Sequence, residues 1–175
     1  MEFYPKEENY DKYISESLLI RKAEVNEARS LSNLAIRSKA HWGYSPEFMA
    51  ACENELVIAK SKLESDRFLY MVAEGNDEEL GYYALERISE SEFELEALFV
   101  EPKHIGSGIG RALLAHAKEA AAKMGGVTLI IQGDPNAEKF YLAAGGVRTG
   151  ERESESIPGR FLPMFSISLI GNNVA

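Results

Sequence analysis

The sequence predicts a chain of the α/β class, of the α+β kind: a mixed, mostly antiparallel twisted sheet of about seven strands flanked by about four helices. Three observations carry that expectation. Strand-like runs at residues 67–74, 80–88 and 92–100 follow one another with only short turns between them, the pattern of antiparallel neighbours. The last of these runs stops at Glu101-Pro102, and residues 97–114, ALFVEPKHIGSGIGRALL, pass three alternate glycines into an apolar-periodic helix. A short apolar strand at 127–132 (VTLIIQ) follows that helix. Strand, crossover helix and strand in that order make 127–132 parallel to 92–100.

The elements follow in order. Residues 1–16 mix charges with Tyr4, Tyr10 and Tyr13 without a sustained period and read as a loosely held extension; 17–175 form a single domain. Residues 18–23 (LLIRKA) are a first strand, and 27–39 a helix with Ala28, Leu31, Leu34 and Ala35 at helical spacing. A second helix is expected from Ser45-Pro46 to about Lys62, with Ser45 as cap and Pro46 at the first position, where a missing N–H does no harm. The runs 67–74 and 80–88 pair as a hairpin around a turn at 75–79. Along 92–100, strict alternation puts Glu92, Glu94 and Glu96 with Leu98 and Val100 on one face, and Phe93, Leu95, Ala97 and Phe99 on the other. The helix from Ile109 presents Ile109, Leu113, Ala117, Ala120, Ala121 and Met124 on one side and ends at Gly125-Gly126. A short helix over 137–144 is capped by Asp134 with Pro135, or by Asn136, and closed by Gly145 or Gly146. Strands at 147–153 and 161–170 are joined by a bend at Pro158-Gly159-Arg160, with Phe161, Phe165, Ile167, Leu169 and Ile170 supplying apolar surface.

Composition narrows the partners. The 175 residues suit one domain with its own core, and 45% hydrophobic with 27% charged residues is ordinary globular material. A net charge of -9 disfavours nucleic acid or an anionic membrane as main partner, since both select basic surfaces, and suits a cationic ligand such as an amine. The single Cys52 leaves no internal disulfide or cysteine metal cluster, which fits a reducing, cytoplasmic location without a metal. No run approaches ~20 apolar residues and none follows a basic start, so neither a membrane span nor a signal peptide is expected.

The glycine stretch carries the chemistry. A helix start leaves backbone N–H groups unpaired and partly positive, and residues without Cβ let a phosphate come close. Which phosphate ligand is decided by what is missing. A magnesium–triphosphate loop would place Gly-Lys-Ser/Thr where Gly110-Arg111-Ala112 stand, and a dinucleotide fingerprint would need a glycine at Leu113 and an acid where the next strand ends in Gln132. What remains resembles the acetyl-CoA loop of the GCN5-related N-acetyltransferase (GNAT) superfamily. Val100-Glu101-Pro102, a spacer, and Gly108-Ile109-Gly110 match it in order and spacing, although Ile105 stands where that family has Gln or Arg. The run Asn136-Ala137-x-x-Phe140-Tyr141-x-x-x-Gly145 resembles the same family's second cofactor motif. His41-Trp42-Gly43-Tyr44 and Pro158-Gly159-Arg160-x-Leu162-Pro163 also look like a bacterial subgroup of unassigned substrate.

The resemblance implies a fold in which the sheet splays between its fourth and fifth strands. It implies acetyl-CoA as cosubstrate, held by Leu98, Phe99, Val100, Ile105, Gly106, Ser107, Gly108, Ile109, Gly110, Arg111, Asn136, Lys139 and Tyr141. Backbone N–H groups of 106–111 would take the pyrophosphate, the edge of 98–100 the pantetheine chain, and Arg111 or Lys139 the 3′-phosphate. Direct transfer to an amine needs a base and an acid. Glu94 and Glu96 are the base candidates, each equally consistent with a solvated polar face, and Tyr141 matches the family's general acid. His41, Trp42, Tyr44 and Arg160 are expected around the acceptor, where aromatic walls with polar tips are useful. The acceptor itself is open among small-molecule and peptide amines, and the assembly between monomer and homodimer. The reading from another class is a non-catalytic acyl-CoA sensor or interaction module.

Overall fold

The computed structural model describes residues 18–171, so the extension expected at 1–16 lies outside it. Its sheet has seven strands in the order β1-β2-β3-β4-β5-β7-β6. These are β1 (Leu19–Lys22), β2 (Phe68–Gly75), β3 (Glu78–Arg87), β4 (Glu92–Val100), β5 (Thr128–Gln132), β6 (Val147–Glu153) and β7 (Phe161–Ser168). Each neighbouring pair is antiparallel except β4 and β5. The β2–β3 hairpin closes through Asn76 and Asp77 at φ 51° and 60°, the left-handed geometry that short polar side chains tolerate and that matches the twist of the strands.

Helices cover both faces. Helix α1 (Ala28–Ala40) and α2 (Pro46–Leu56), with the short α3 (Lys60–Glu64), lie on one side; α4 (Ile109–Lys123) lies on the other, beside the short α5 (Glu138–Ala143). Leu31, Leu34 and Ala35 of α1 pack with Cys52, Leu56 and Ile58 against Tyr70, Val72, Tyr82 and Ala84. Across the sheet, Ile109, Leu113, Leu114, Ala117 and Ala121 of α4 pack against Phe93, Leu95, Leu129, Ile131 and Phe165.

The helix expected from Ser45 to Lys62 begins as predicted, with Phe48 N–H donating to Ser45 Oγ at 3.1 Å, and then divides. Val57 and Ala59 are extended, which turns Ile58 into the core, 8% exposed. The Ile58 N–H there donates to the buried Ser32 Oγ at 2.8 Å. Burying an Ile side chain is worth about 1.5–3 kcal/mol, more than the few tenths that separate helix propensities in this stretch. Met124, placed by periodicity on the inner face of α4, is 37% exposed. Gly125 at φ +90° closes a turn in which Gly126 N–H bonds Ala121 C=O at 2.8 Å, and the chain leaves the helix axis there. Phe161, at the start of β7, is also exposed, and so is Ile170, because the strand expected to reach 170 ends at Ser168.

Two irregularities of β4 build the cleft. Register steps from Ala84↔Ala97 to Leu85↔Leu95, leaving Glu96 as the extra residue of a bulge. The strict alternation expected for 92–100 therefore changes phase. Phe93 and Leu95 face α4 together with Leu98 and Val100, whereas Ala97 and Phe99 face the α1 side. Pairing between β4 and β5 covers only Glu92–Leu95 with Thr128–Ile131. Beyond Leu95, β4 stays with β3 up to Val100 and parts from β5.

Candidate active site

A cleft of about 1190 Å³ opens where β4 and β5 part. One end is made of backbone. A 3-10 turn at Pro102–His104 leads to Gly106 and Gly108 at φ +84° and +88°, and α4 starts at Ile109 with Gly108 as its cap. A residue with Cβ in that left-handed conformation costs roughly 1–2 kcal/mol, which is why glycines stand there. Among the described residues, the N–H groups of Gly106, Gly108, Ile109, Gly110 and Arg111 find no backbone acceptor. Five donors in one loop at the positive end of a helix make an anion cradle. Ile105, Gly106, Gly108, Gly110 and Arg111 line the cleft. The Ile109 side chain is buried in the core, and the Ser107 hydroxyl donates to the His104 carbonyl. A Cβ on Gly110 would sit 3.5 Å from Val100 and 3.7 Å from Phe140, so α4 and α5 lie close to the strand at this point.

The long wall runs along Leu98, Phe99 and Val100 on β4 and along Asn136, Phe140 and Tyr141. Tyr141 is 7% exposed, edge-on to Phe140 at 5.2 Å and 5.6 Å from Phe165. A Cβ on Gly133 would lie 3.0 Å from Phe165 and 3.2 Å from Tyr141, so that glycine makes room for the phenol ring. Burial, helped by the Asp134 carboxylate, pushes the Tyr141 phenol well above its ordinary range and keeps it protonated. Lys139 is exposed and outside the cleft wall.

The other end is made of side chains from many elements. Glu86 and Glu94 are direct cross-strand partners, and the bulge brings Glu96 to the same region; all three line the cleft. Each meets a cation from elsewhere in the chain. Lys62 Nζ is 2.8 Å from Glu96, Arg152 Nη1 2.8 Å from Glu94, and Arg67 Nη2 2.6 Å from Glu86. Burial and the neighbouring Glu96 raise the Glu86 carboxyl above the usual carboxylate range. Trp42, Phe68, Tyr70 and Tyr82 complete this wall. Glu86, Lys62 and Arg152 escape a reading of the sequence, although Glu86 follows from Glu94 once the β3–β4 register is known.

Of the four residues expected around the acceptor, Trp42 lines the cleft and His41 lies on the exposed surface beside it. Tyr44 and Arg160 meet each other instead. Tyr44 Oη donates to Asp134 Oδ2 at 2.7 Å and accepts from Arg160 Nη2 at 2.9 Å and from Asn136 Nδ2 at 3.1 Å. The Tyr44 ring stacks on Phe48 at 4.1 Å, with the Arg160 guanidinium over both rings. Burial, then the Asp134 carboxylate, push the Tyr44 phenol up to about 12. This node ties the α1–α2 loop and the β6–β7 bend to Asp134, whose Oδ1 accepts from the Asn136 N–H and starts the turn into α5.

The stretch that holds both glycine motifs and the parted strands is also the one that resembles a known family. Residues 66–145 match the family profile of the acetyltransferase (GNAT) domain. Over that stretch the chain is similar to a GNAT acetyltransferase domain. Solved structures of similar fold include PaiA N-acetyltransferase from Thermoplasma acidophilum in complex with coenzyme A, at 21% identity, TM-score 0.65, covering 87% of this chain and 99% of that one. The ribosomal-protein-S18-alanine N-acetyltransferase from Escherichia coli aligns at 18% identity and TM-score 0.67, over 90% of this chain and 99% of the other. An aminoglycoside 6′-N-acetyltransferase complexed with coenzyme A aligns at 16% identity and TM-score 0.68, over 87% and 98%. At these identities the GNAT neighbours establish a shared fold, the splayed seven-stranded sheet. No curated protein matches the chain. Among the described residues, no helix is long and apolar enough to cross a membrane.

Proposed function

We propose that the domain is a cytoplasmic N-acetyltransferase that moves an acetyl group from acetyl-CoA to a primary amine by direct attack within a ternary complex. The observation that carries this reading is the cleft itself. It joins a cradle of unpaired N–H groups at residues 106 and 108–111 to a carboxylate-lined chamber, with Tyr141 on the wall between. The cradle fits a pyrophosphate, and the unpaired edge of Leu98–Val100 fits an extended chain of amides. When bound, acetyl-CoA supplies a thioester as the electrophile.

The chain's own groups then divide the proton work. An alkylamine has a pKa of ~10.4 and must lose a proton before it attacks. Glu96 or Glu94, directly or through a water, takes it, and the surrounding carboxylates hold the amine while it is still a cation. A backbone N–H near Phe99 or Val100 polarises the reacting carbonyl. Tyr141, kept protonated by burial, donates to the sulfur that leaves. The acceptor is a small-molecule or peptide amine, and the protein works as a monomer or homodimer.

The test is release of CoA thiol from acetyl-CoA against a panel of amines, with Tyr141→Phe beside the wild type. Turnover with one amine class that collapses in the variant supports the transferase. Tight acetyl-CoA binding with no thiol release for any amine would replace it with a non-catalytic acyl-CoA-binding module.

A further inference from the structure

The acceptor end of the cleft already contains a primary amine. Among the described lysines only Lys39 and Lys62 line the cleft. Lys39 Nζ lies 3.9 Å from Asp134 and over the rings of Tyr44 and Phe48, within the node that ties the loops together. Lys62 differs. It stands on α3, its Nζ 2.8 Å from Glu96 Oε1 and 5.0 Å from the centre of the Phe68 ring. Glu96 is the extra residue of the β4 bulge, at the point where β4 leaves β5. A carboxylate on one side and an aromatic face on the other are the surroundings that recognise an alkylammonium ion. Lys62 therefore occupies the place of an acceptor and shares the candidate base with it.

We infer that Lys62 is itself an acceptor, acetylated in cis when no amine occupies the cleft. This rests on the acetyl-transfer reading above. In the step, the Lys62 ammonium loses a proton to Glu96 and its nitrogen lone pair forms a bond to the acetyl carbonyl carbon. The second nitrogen proton passes to solvent as the amide forms, so the net change is one acetyl-lysine, one CoA thiol and one released proton. The carbon–sulfur bond breaks with its electron pair on sulfur, which takes a proton from Tyr141. Glu96 and Tyr141 return to their starting states by exchange with solvent. One ammonium becomes a neutral amide, Glu96 loses its internal cation, and that carboxylate is freed for the ammonium of an added amine. Acetylation of Lys62 thus converts a cleft that competes with its acceptor into one that does not.

The experiment incubates the full chain with acetyl-CoA alone and maps acetyl groups by digestion and mass spectrometry. Lys60, two residues away, exposed and outside the cleft, is the internal control for uncatalysed acetylation. The expected result is one acetyl on Lys62 at a rate independent of protein concentration and at least about tenfold that of Lys60, since proximity alone gives more than that. Tyr141→Phe slows it, while Lys62→Arg keeps a cation on Glu96 and takes no acetyl group at that position. An added amine that is turned over suppresses the modification. Equal rates at Lys60 and Lys62, or a rate that rises with protein concentration, would overturn the inference. So would an unmodified Lys62 in a chain that acetyl-CoA protects against thermal unfolding and that turns over amines, an outcome that leaves the transferase intact. A chain that acetyl-CoA neither protects nor acetylates overturns both.

Discussion

The two ends of the cleft are built from different materials. The end proposed for the cofactor is backbone: glycines held at positive φ and a helix start with its N–H groups unpaired, all within the short stretch from Val100 to Arg111. The end proposed for the acceptor is side chains: Glu86 from β3, Glu94 and Glu96 from β4, Lys62 from α3, Arg152 from β6 and Trp42 from the α1–α2 loop, with Arg67, just before β2, paired to Glu86. A backbone cradle tolerates almost any side chain that leaves the conformation alone, so it can be shared by proteins of different specificity. A side-chain chamber changes whenever one contributor changes, which suits the substrate-selecting role proposed for it.

Tyr141 sits between the two ends and should show the largest effect. Tyr141→Phe keeps the packing against Phe140 and Phe165 while removing the proton donor, and kcat should fall by about 10²–10⁴ with the acetyl-CoA KM little changed. A loss in KM alone would move Tyr141 from chemistry into the cofactor end. Next comes the cradle. Gly108→Val places a β-branched residue at φ +88°, and acetyl-CoA affinity, measured by calorimetry, should drop by about tenfold or more, the equivalent of about 1.4 kcal/mol. Because the damage is local to the backbone, the ion pairs of the acceptor end should survive, which the Glu86 carboxyl resonance would report.

The node that holds the acceptor loops comes third. Tyr44→Phe retains the stack on Phe48 but leaves Asp134 and Arg160 without the phenol oxygen, at a cost of about 1–3 kcal/mol seen as a lower Tm. Acceptor KM should rise more than acetyl-CoA KM. An equal rise in both would mean that Asp134 transmits the change through α5 to the cofactor end. The smallest effect concerns Glu86. Its protonated form is favoured in the fold, so its contribution to stability is greatest below the ordinary carboxylate pKa and declines as pH rises through that value to the raised one. Glu96→Gln removes the nearest like charge. Carbon NMR titration should then find the Glu86 pKa lower and the slope of stability against pH flatter; an unmoved Glu86 would leave burial and the charge of Glu94 as the causes.

What could be read without the structure follows the same division. Ser45-Pro46 as a helix start, the strand at 92–100, its parallel partner at 127–132 and the glycine loop are stated by neighbouring residues. The errors arise where distant residues intervene. Ile58 leaves the helix because Ser32 and a hydrophobic cluster from other elements receive it. Leu98 and Val100 change faces because one residue is inserted opposite β3. Tyr44 and Arg160, 116 positions apart and both expected around the acceptor, bond each other and Asp134 and are absent from the cleft lining.

By itself the sequence determined the glycine loop and the helix start at the end proposed for the cofactor, because glycine conformations, a proline stop and a helix start are demands met within a few residues and written in their identities. The tertiary structure alone decided the acceptor end. Which carboxylates share a face depends on a bulge at Glu96, and which cations meet them depends on how α3, β2 and β6 come to rest beside β4. Those are contacts between side chains far apart in the chain, set by register and packing rather than by any local preference of the residues that make them.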